Sequence, residues 1–238
     1  MMASANLSLN QQARKRMNIS AIVALIGFAY FVATVVALYF LNPAYNLISS
    51  FEGNYDLGSY EFLIASTFFG LGLGSLALVI GLYQGMSRSA RSWIGLLLLG
   101  IWGLGMLIAG IFPANEGGST VPHMTTILIA GIFPVEVEAY PETAASFTHI
   151  LAIFGSFFSL ALAAILLSRR FKQDENWRSF HSMALILALT MLATSIWIFL
   201  VFFLAFRLGF EILILELLTF TSLLWLFLTA ARLRLISG

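Results

Sequence analysis

Residues 19–41 read ISAIVALIGFAYFVATVVALYFL, an unbroken apolar run preceded by Arg14-Lys15-Arg16 and closed by Leu41-Asn42-Pro43. The hydrocarbon core of a bilayer is about 30 Å thick and takes about 20 helical residues, so this run is long enough to cross it. A secretory signal carries a shorter apolar region, about 7–15 residues, followed by a small-residue cleavage site. The run is therefore read as a first transmembrane helix.

Five further stretches meet the same length: 59–84, 93–112, 143–167, 180–206 and 212–231. They are continuously apolar, whereas strands of a membrane barrel alternate over about ten residues. The expected fold is all-α, a six-helix integral membrane bundle over residues 19–232 with tails at 1–18 and 233–238. Composition agrees: 60% of residues are apolar, 10% are charged and the mean hydropathy is +0.95. A soluble domain carries about 25% charged residues.

Lysine and arginine set the orientation, because positive segments stay in the cytoplasm. Arg14, Lys15 and Arg16 precede the first span. Arg88 and Arg91 separate the second and third, and Arg169, Arg170, Lys172 and Arg178 the fourth and fifth. Arg232 and Arg234 follow the sixth. Eleven of the twelve basic residues thus fall on one side, and only Arg207 falls on the other. The opposite side holds Glu52, Asp56, Glu61, Glu116, Glu136, Glu138, Glu142 and Glu211. The expected placement is a plasma membrane, multi-pass, with both termini cytoplasmic and an acidic outer face.

Several chemistries are excluded. Without cysteine there is no disulfide, thiolate nucleophile, cysteine-ligated zinc, iron–sulfur cluster or c-type haem. The two lysines, Lys15 and Lys172, lie outside the apolar runs, which rules out an intramembrane retinal Schiff base. His149 and His181 fall at opposite membrane faces and cannot flank one haem. Nothing in the charge pattern supports nucleic-acid binding; the expected partners are membrane lipids, with a protein partner left open.

Glycines crowd the second and third spans: Gly70, Gly72, Gly74 and Gly81, then Gly95, Gly100, Gly103, Gly105 and Gly110. The run Phe69-Gly70-Leu71-Gly72-Leu73-Gly74 looks like a dinucleotide loop, but that loop needs a preceding strand and an aqueous phosphate. Inside a span, small residues at a spacing of four let helix backbones approach closely.

Candidate site residues are few. Glu216 is an ionisable residue inside a span, where insertion scales put a carboxylate at about 2.5–3.5 kcal/mol, and Thr219 and Ser222 share its face by the spacing of three. His149 lies about two turns into the fourth span. With His123, Asp56 and Glu136 it offers imidazole and carboxylate ligands of the kind that bind a divalent metal such as zinc. No His-Glu-x-x-His spacing accompanies them. Thr190, Thr194 and Trp197 share a face of the fifth span, where threonines usually hydrogen-bond their own helix. Trp93, Trp177, Tyr45, Tyr60 and Tyr140 fall near membrane interfaces, as an aromatic belt does. A heptapeptide, Leu107-Ile108-Ala109-Gly110-Ile111-Phe112-Pro113, recurs at 128–134. The second copy sits in an apolar run too short to span.

The outer-loop motifs resemble those of a family of prokaryotic membrane proteins, domain-of-unknown-function family 998. Pro43-Ala44-Tyr45, Ile48-Ser49 and Asp56-Leu57-Gly58 are similar to its first outer loop. Gly110-Ile111-Phe112-Pro113-Ala114-Asn115 and Ser146-Phe147-Thr148-His149 are similar to the end of its third span and the head of the next. The family's acidic position is Asn115 in the first heptapeptide copy and Glu136 after the second, and either copy can take that place. The resemblance covers about Pro43 to Arg170 and brings no reaction with it. The expectation is a membrane protein whose outer rim, with Asp56, Glu136 and His149, binds a lipid headgroup, a metal or a partner protein. The alternatives are a metal-dependent hydrolase at the membrane surface, a proton-coupled transporter using Glu216, or a scaffold or accessory subunit held by glycine-faced helix packing. Whether the chain is an enzyme stays open at this level.

Overall fold

The computed structural model describes residues 2–41, 61–112, 144–204 and 211–238. Within them every regular element is helical. The helices are α1 (Met2–Leu41), α2 (Glu61–Gly85), α3 (Trp93–Ile111), α4 (Ala144–Phe171), α5 (His181–Leu204) and α6 (Glu211–Ser237), with a 3-10 turn at Arg178–Phe180 leading into α5. Each of the six is long and apolar enough to cross a membrane. Helix α1 begins well before the apolar run, because Ala, Gln, Arg and Lys of its polar flank are strong helix formers. The Ser92 hydroxyl caps α3 by accepting from the Gly95 N–H at 3.1 Å.

Each helix packs on its chain neighbours, and α1 returns against α6, so the bundle closes as a ring. Helix α2 also reaches α6 across it. The packing is that of a lipid-solvated protein. On α1 the buried stripe is Met17, Ala21, Ala24 and Phe28, while Ile19, Val23 and Ile26 face outward. Large apolar side chains such as Phe62, at 83% exposure, and Trp93, Ile94 and Leu97 cover the outside. A surface of this kind is stable against hydrocarbon and would aggregate in water.

Lipid tails are as apolar as leucine, so burial alone gives little reason for one helix to prefer another over lipid. Close backbone contact and polar links supply the preference. A methyl group on Gly72 of α2 would lie 2.7 Å from the carbonyl oxygen of Gly103 in α3, and one on Gly103 would lie 3.1 Å from that of Gly72. On the other side of α2, Gly70 meets Gly27 of α1 backbone to backbone, and Gly74 meets the carbonyl of Ala24. The glycine stripes are helix contacts. Between helices, Trp102 Nε1 donates to Ser75 Oγ at 2.9 Å, Ser159 Oγ to the Leu98 carbonyl at 2.7 Å, and Trp225 Nε1 to Ser168 Oγ at 3.3 Å. His181 Nδ1 sits 2.7 Å from the Ser168 carbonyl. A carbonyl only accepts, so this nitrogen carries the proton. Thr190 and Thr194 each donate to carbonyls of their own helix, as expected.

One end of the ring is tied together by its connections. The buried carboxylate of Asp174 accepts the N–H of Ser87 at 2.8 Å and of Asn176 at 3.0 Å, joining the α4–α5 connection to the α2–α3 turn. Arg232 of α6 donates through Nε to the Asn176 carbonyl at 2.9 Å and through Nη2 to Ser179 Oγ at 3.1 Å, and Arg234 donates to Asn18 of α1. Eleven basic residues therefore gather at one end, an up-and-down topology. Trp177 departs from the interfacial role expected of it: it is fully buried, stacks on Phe171 with ring centroids 4.5 Å apart, and donates to the Gly85 carbonyl. Trp93 is 65% exposed, as a belt residue should be. Tyr45, Tyr60, Tyr140, Arg207 and the second heptapeptide copy lie outside the described residues. The first copy ends α3, with the Phe112 N–H on the Ile108 carbonyl at 3.0 Å.

Two stability outcomes follow. Gly72→Val forces α2 from α3 and is expected to cost about 1–3 kcal/mol, whereas Gly100→Ala, with nothing within 4 Å of its added methyl, leaves stability unchanged or higher. Thermal melts of the detergent-solubilised variants measure the contrast. Asp174→Ala strands two N–H groups and is expected to cost about 1–3 kcal/mol in the same melts.

Candidate functional site

Among the described residues, a cavity of about 260 Å³ lined by α1, α2, α3, α4 and α6 could hold a ligand. Phe31 of α1 and Phe68 of α2 form one wall, with ring centroids 6.4 Å apart in an edge-on arrangement. Leu71, Trp102 and Met106, all buried, make the floor. The Trp102 indole is fixed twice: Ser75 holds its N–H, and the ring of Phe157 lies 5.3 Å away. Ile153 and Phe157 close the α4 side, and Leu215, Thr219, Ser222 and Leu223 complete the lining from α6. Those four α6 positions recur at intervals of three and four, which places them on one helical face.

The cavity lies in the half of the bundle away from the basic end, since its residues come from the first half of α4 and α6 and the second half of α3. It is almost wholly apolar, and its polar points are informative. Ser222 is 2% exposed, and its hydroxyl oxygen has no hydrogen-bond partner among the described residues. A buried hydroxyl without a partner costs about 1–3 kcal/mol on protein mutational scales. Thr219, half-buried one turn away, adds a second hydroxyl to the same wall.

Of the residues expected to act, Glu216 is the one whose side chain the structure describes. It is half-buried and sits between two stripes of α6: the lipid-facing Leu213, Leu217 and Phe220, and the cavity-lining Leu215, Thr219 and Ser222. The expected shared face is thus split, with Thr219 and Ser222 lining the cavity and Glu216 at its edge. Phe227, about three turns further along the same side of α6, packs on Phe28 of α1 with centroids 5.7 Å apart. Glu216 therefore lies toward the seam between the first and last helices.

Asp56, His123 and Glu136 lie outside the described residues. His149 lies in α4 one turn before Ile153, and of it the structure describes the backbone alone. Its register is that of the face bearing Ile153 and Phe157. Among the described residues no group of three His, Asp or Glu side chains could hold a metal ion. His181, hydrogen-bonded at the basic end of α5, is far along the bundle from position 149, as expected. Trp102, Phe157 and Phe31 line the cavity without any sign of it in the sequence, because in a span every aromatic reads as packing or lipid contact.

Fold and cavity together define a multi-pass helical membrane protein with an apolar chamber inside the bundle. The chain belongs to the DUF998 family, described as a protein of unknown function, whose model matches residues 25–232. The match runs past both ends of the Pro43–Arg170 region in which the motifs are readable. No curated protein and no solved structure matches the chain.

Removing the Ser222 hydroxyl tests the geometry without any ligand. Ser222→Ala is expected to leave the thermal midpoint of lipid-depleted protein unchanged or to raise it, by up to about 1–3 kcal/mol of stability. A fall in midpoint would show that the hydroxyl is bonded within the protein.

Proposed function

We propose that this chain is a plasma-membrane protein, both termini cytoplasmic, that binds an amphipathic lipid or lipid-like molecule in the chamber at the acidic end of its helix ring. The observation that carries the reading is the buried Ser222 hydroxyl, without a partner among the described residues, in the wall of an otherwise apolar cavity. A dry apolar void of about 150 Å³ binds benzene, so a chamber of about 260 Å³ suits a short stretch of acyl or ring carbon. Such a ligand brings a hydrogen-bonding atom near one end to meet Ser222 or Thr219. The orientation rests on the basic end, which the positive-inside rule places in the cytoplasm. The chamber then faces the outer leaflet, on the side where Asp56, Glu136 and His149 fall in the sequence.

Two experiments test it. Native mass spectrometry and lipid analysis of nanodisc-purified protein should find one amphiphile per chain, lost when Thr219→Phe or Met106→Phe fills the chamber while the melt stays cooperative. Equal lipid content in wild type and both filled variants would end the reading. Because the chain has no cysteine, single Ser89→Cys and Asn115→Cys variants report topology directly. An impermeant maleimide applied to intact cells should label the second and spare the first.

A further inference from the structure

We infer that the ligand taken by this chamber is a cationic amphiphile, its ammonium or guanidinium group held by Glu216 at the seam of α1 and α6 and its apolar body in the cavity. The inference rests on the binding reading above and adds the charge of the ligand. Three observations carry it. Glu216 borders the lining through its neighbours Leu215 and Thr219, so a molecule filling the chamber beside Thr219 has its end within reach of that carboxylate. Among the described residues nothing pairs with Glu216, and every described lysine and arginine lies at the opposite end of the bundle. The Ser222 hydroxyl, deeper in the same wall, has no partner among the described residues and is open to a polar atom on the body of the ligand.

A carboxylate beside hydrocarbon favours a cation over any neutral or anionic head. The ring supplies no cation to it from the described residues. An anionic lipid head would add like charge, because Glu61 and Glu211 also belong to this end of the chain. The side of α6 that bears Glu216 faces the junction of the first and last helices, where the ring closes without a covalent connection. A membrane-dissolved amphiphile can approach there sideways, its body entering the chamber while its head remains at the carboxylate. Arg207 lies outside the described residues, and its substitution is therefore included in the test.

The test uses three probes with one tail: decylammonium, decanol and decyl sulfate. Each is added to the full-length protein in maltoside micelles, with affinity read from the thermal midpoint against concentration. Decylammonium should bind about tenfold tighter than decanol, the scale of one charge-assisted hydrogen bond, and decyl sulfate should bind weakest. Glu216→Gln should make decylammonium and decanol equal while decanol binds as before, which also shows that the variant is folded. If all three probes bind equally to wild type, the charge assignment fails and the chamber remains a lipid site. If none binds, the binding reading itself fails. A preference that appears only in Arg207→Gln would also overturn the inference, because the carboxylate would then serve the chain's own arginine.

Discussion

The backbone contact of Gly72 with Gly103 sets how closely helices α2 and α3 lie. In water, two apolar helices associate because both leave solvent; in lipid that drive is nearly absent. Helices α2 and α3 are held together because their main chains approach more closely than any side chain would allow. The same helix uses Gly70 and Gly74 against α1. Helix α2 is thus pinned on two sides by glycines two residues apart, and its neighbours inherit their positions from it.

The chamber is a consequence of that arrangement. Gly72 and Gly103 hold α2 and α3 together immediately beside Leu71 and Trp102, which line the chamber. Beside those contacts the side chains that point into the ring are bulky, Phe31, Phe68 and Trp102, and they line the space that is left. The indole of Trp102 is locked by Ser75 and Phe157 and keeps the floor rigid. At the other end, Asp174, Trp177, Arg232 and Arg234 bind the connections into a closed base. One end of the ring is stitched shut and the other half holds space, a polarity that parallels the segregation of basic and acidic residues along the chain.

Much of this was legible in the residues. A bilayer admits only helices or closed barrels, so continuous apolar runs specify helix, and the alternation of Lys and Arg specifies the up-and-down order. The glycine spacing announced close packing. The chamber was not legible, because it arises from the relative heights of side chains on five helices, and no local pattern encodes a gap between distant segments. Trp177 read as an interfacial aromatic, since its neighbours are polar; only the fold shows that Phe171 and Gly85 enclose it. Glu216 stood out by its charge alone, and the structure adds what it borders. The rim residues Asp56, His123 and Glu136 lie outside the described residues, and the chemistry assigned to them rests on sequence.

An electron cryomicroscopy map of the full chain in lipid nanodiscs, at a resolution that shows side chains, would show the chamber and its contents. Elongated non-protein density is expected between Trp102 and Ser222, with its outer end beside Glu216. A collapsed chamber, with Ser222 hydrogen-bonded to the protein and no density among these residues, would contradict that expectation.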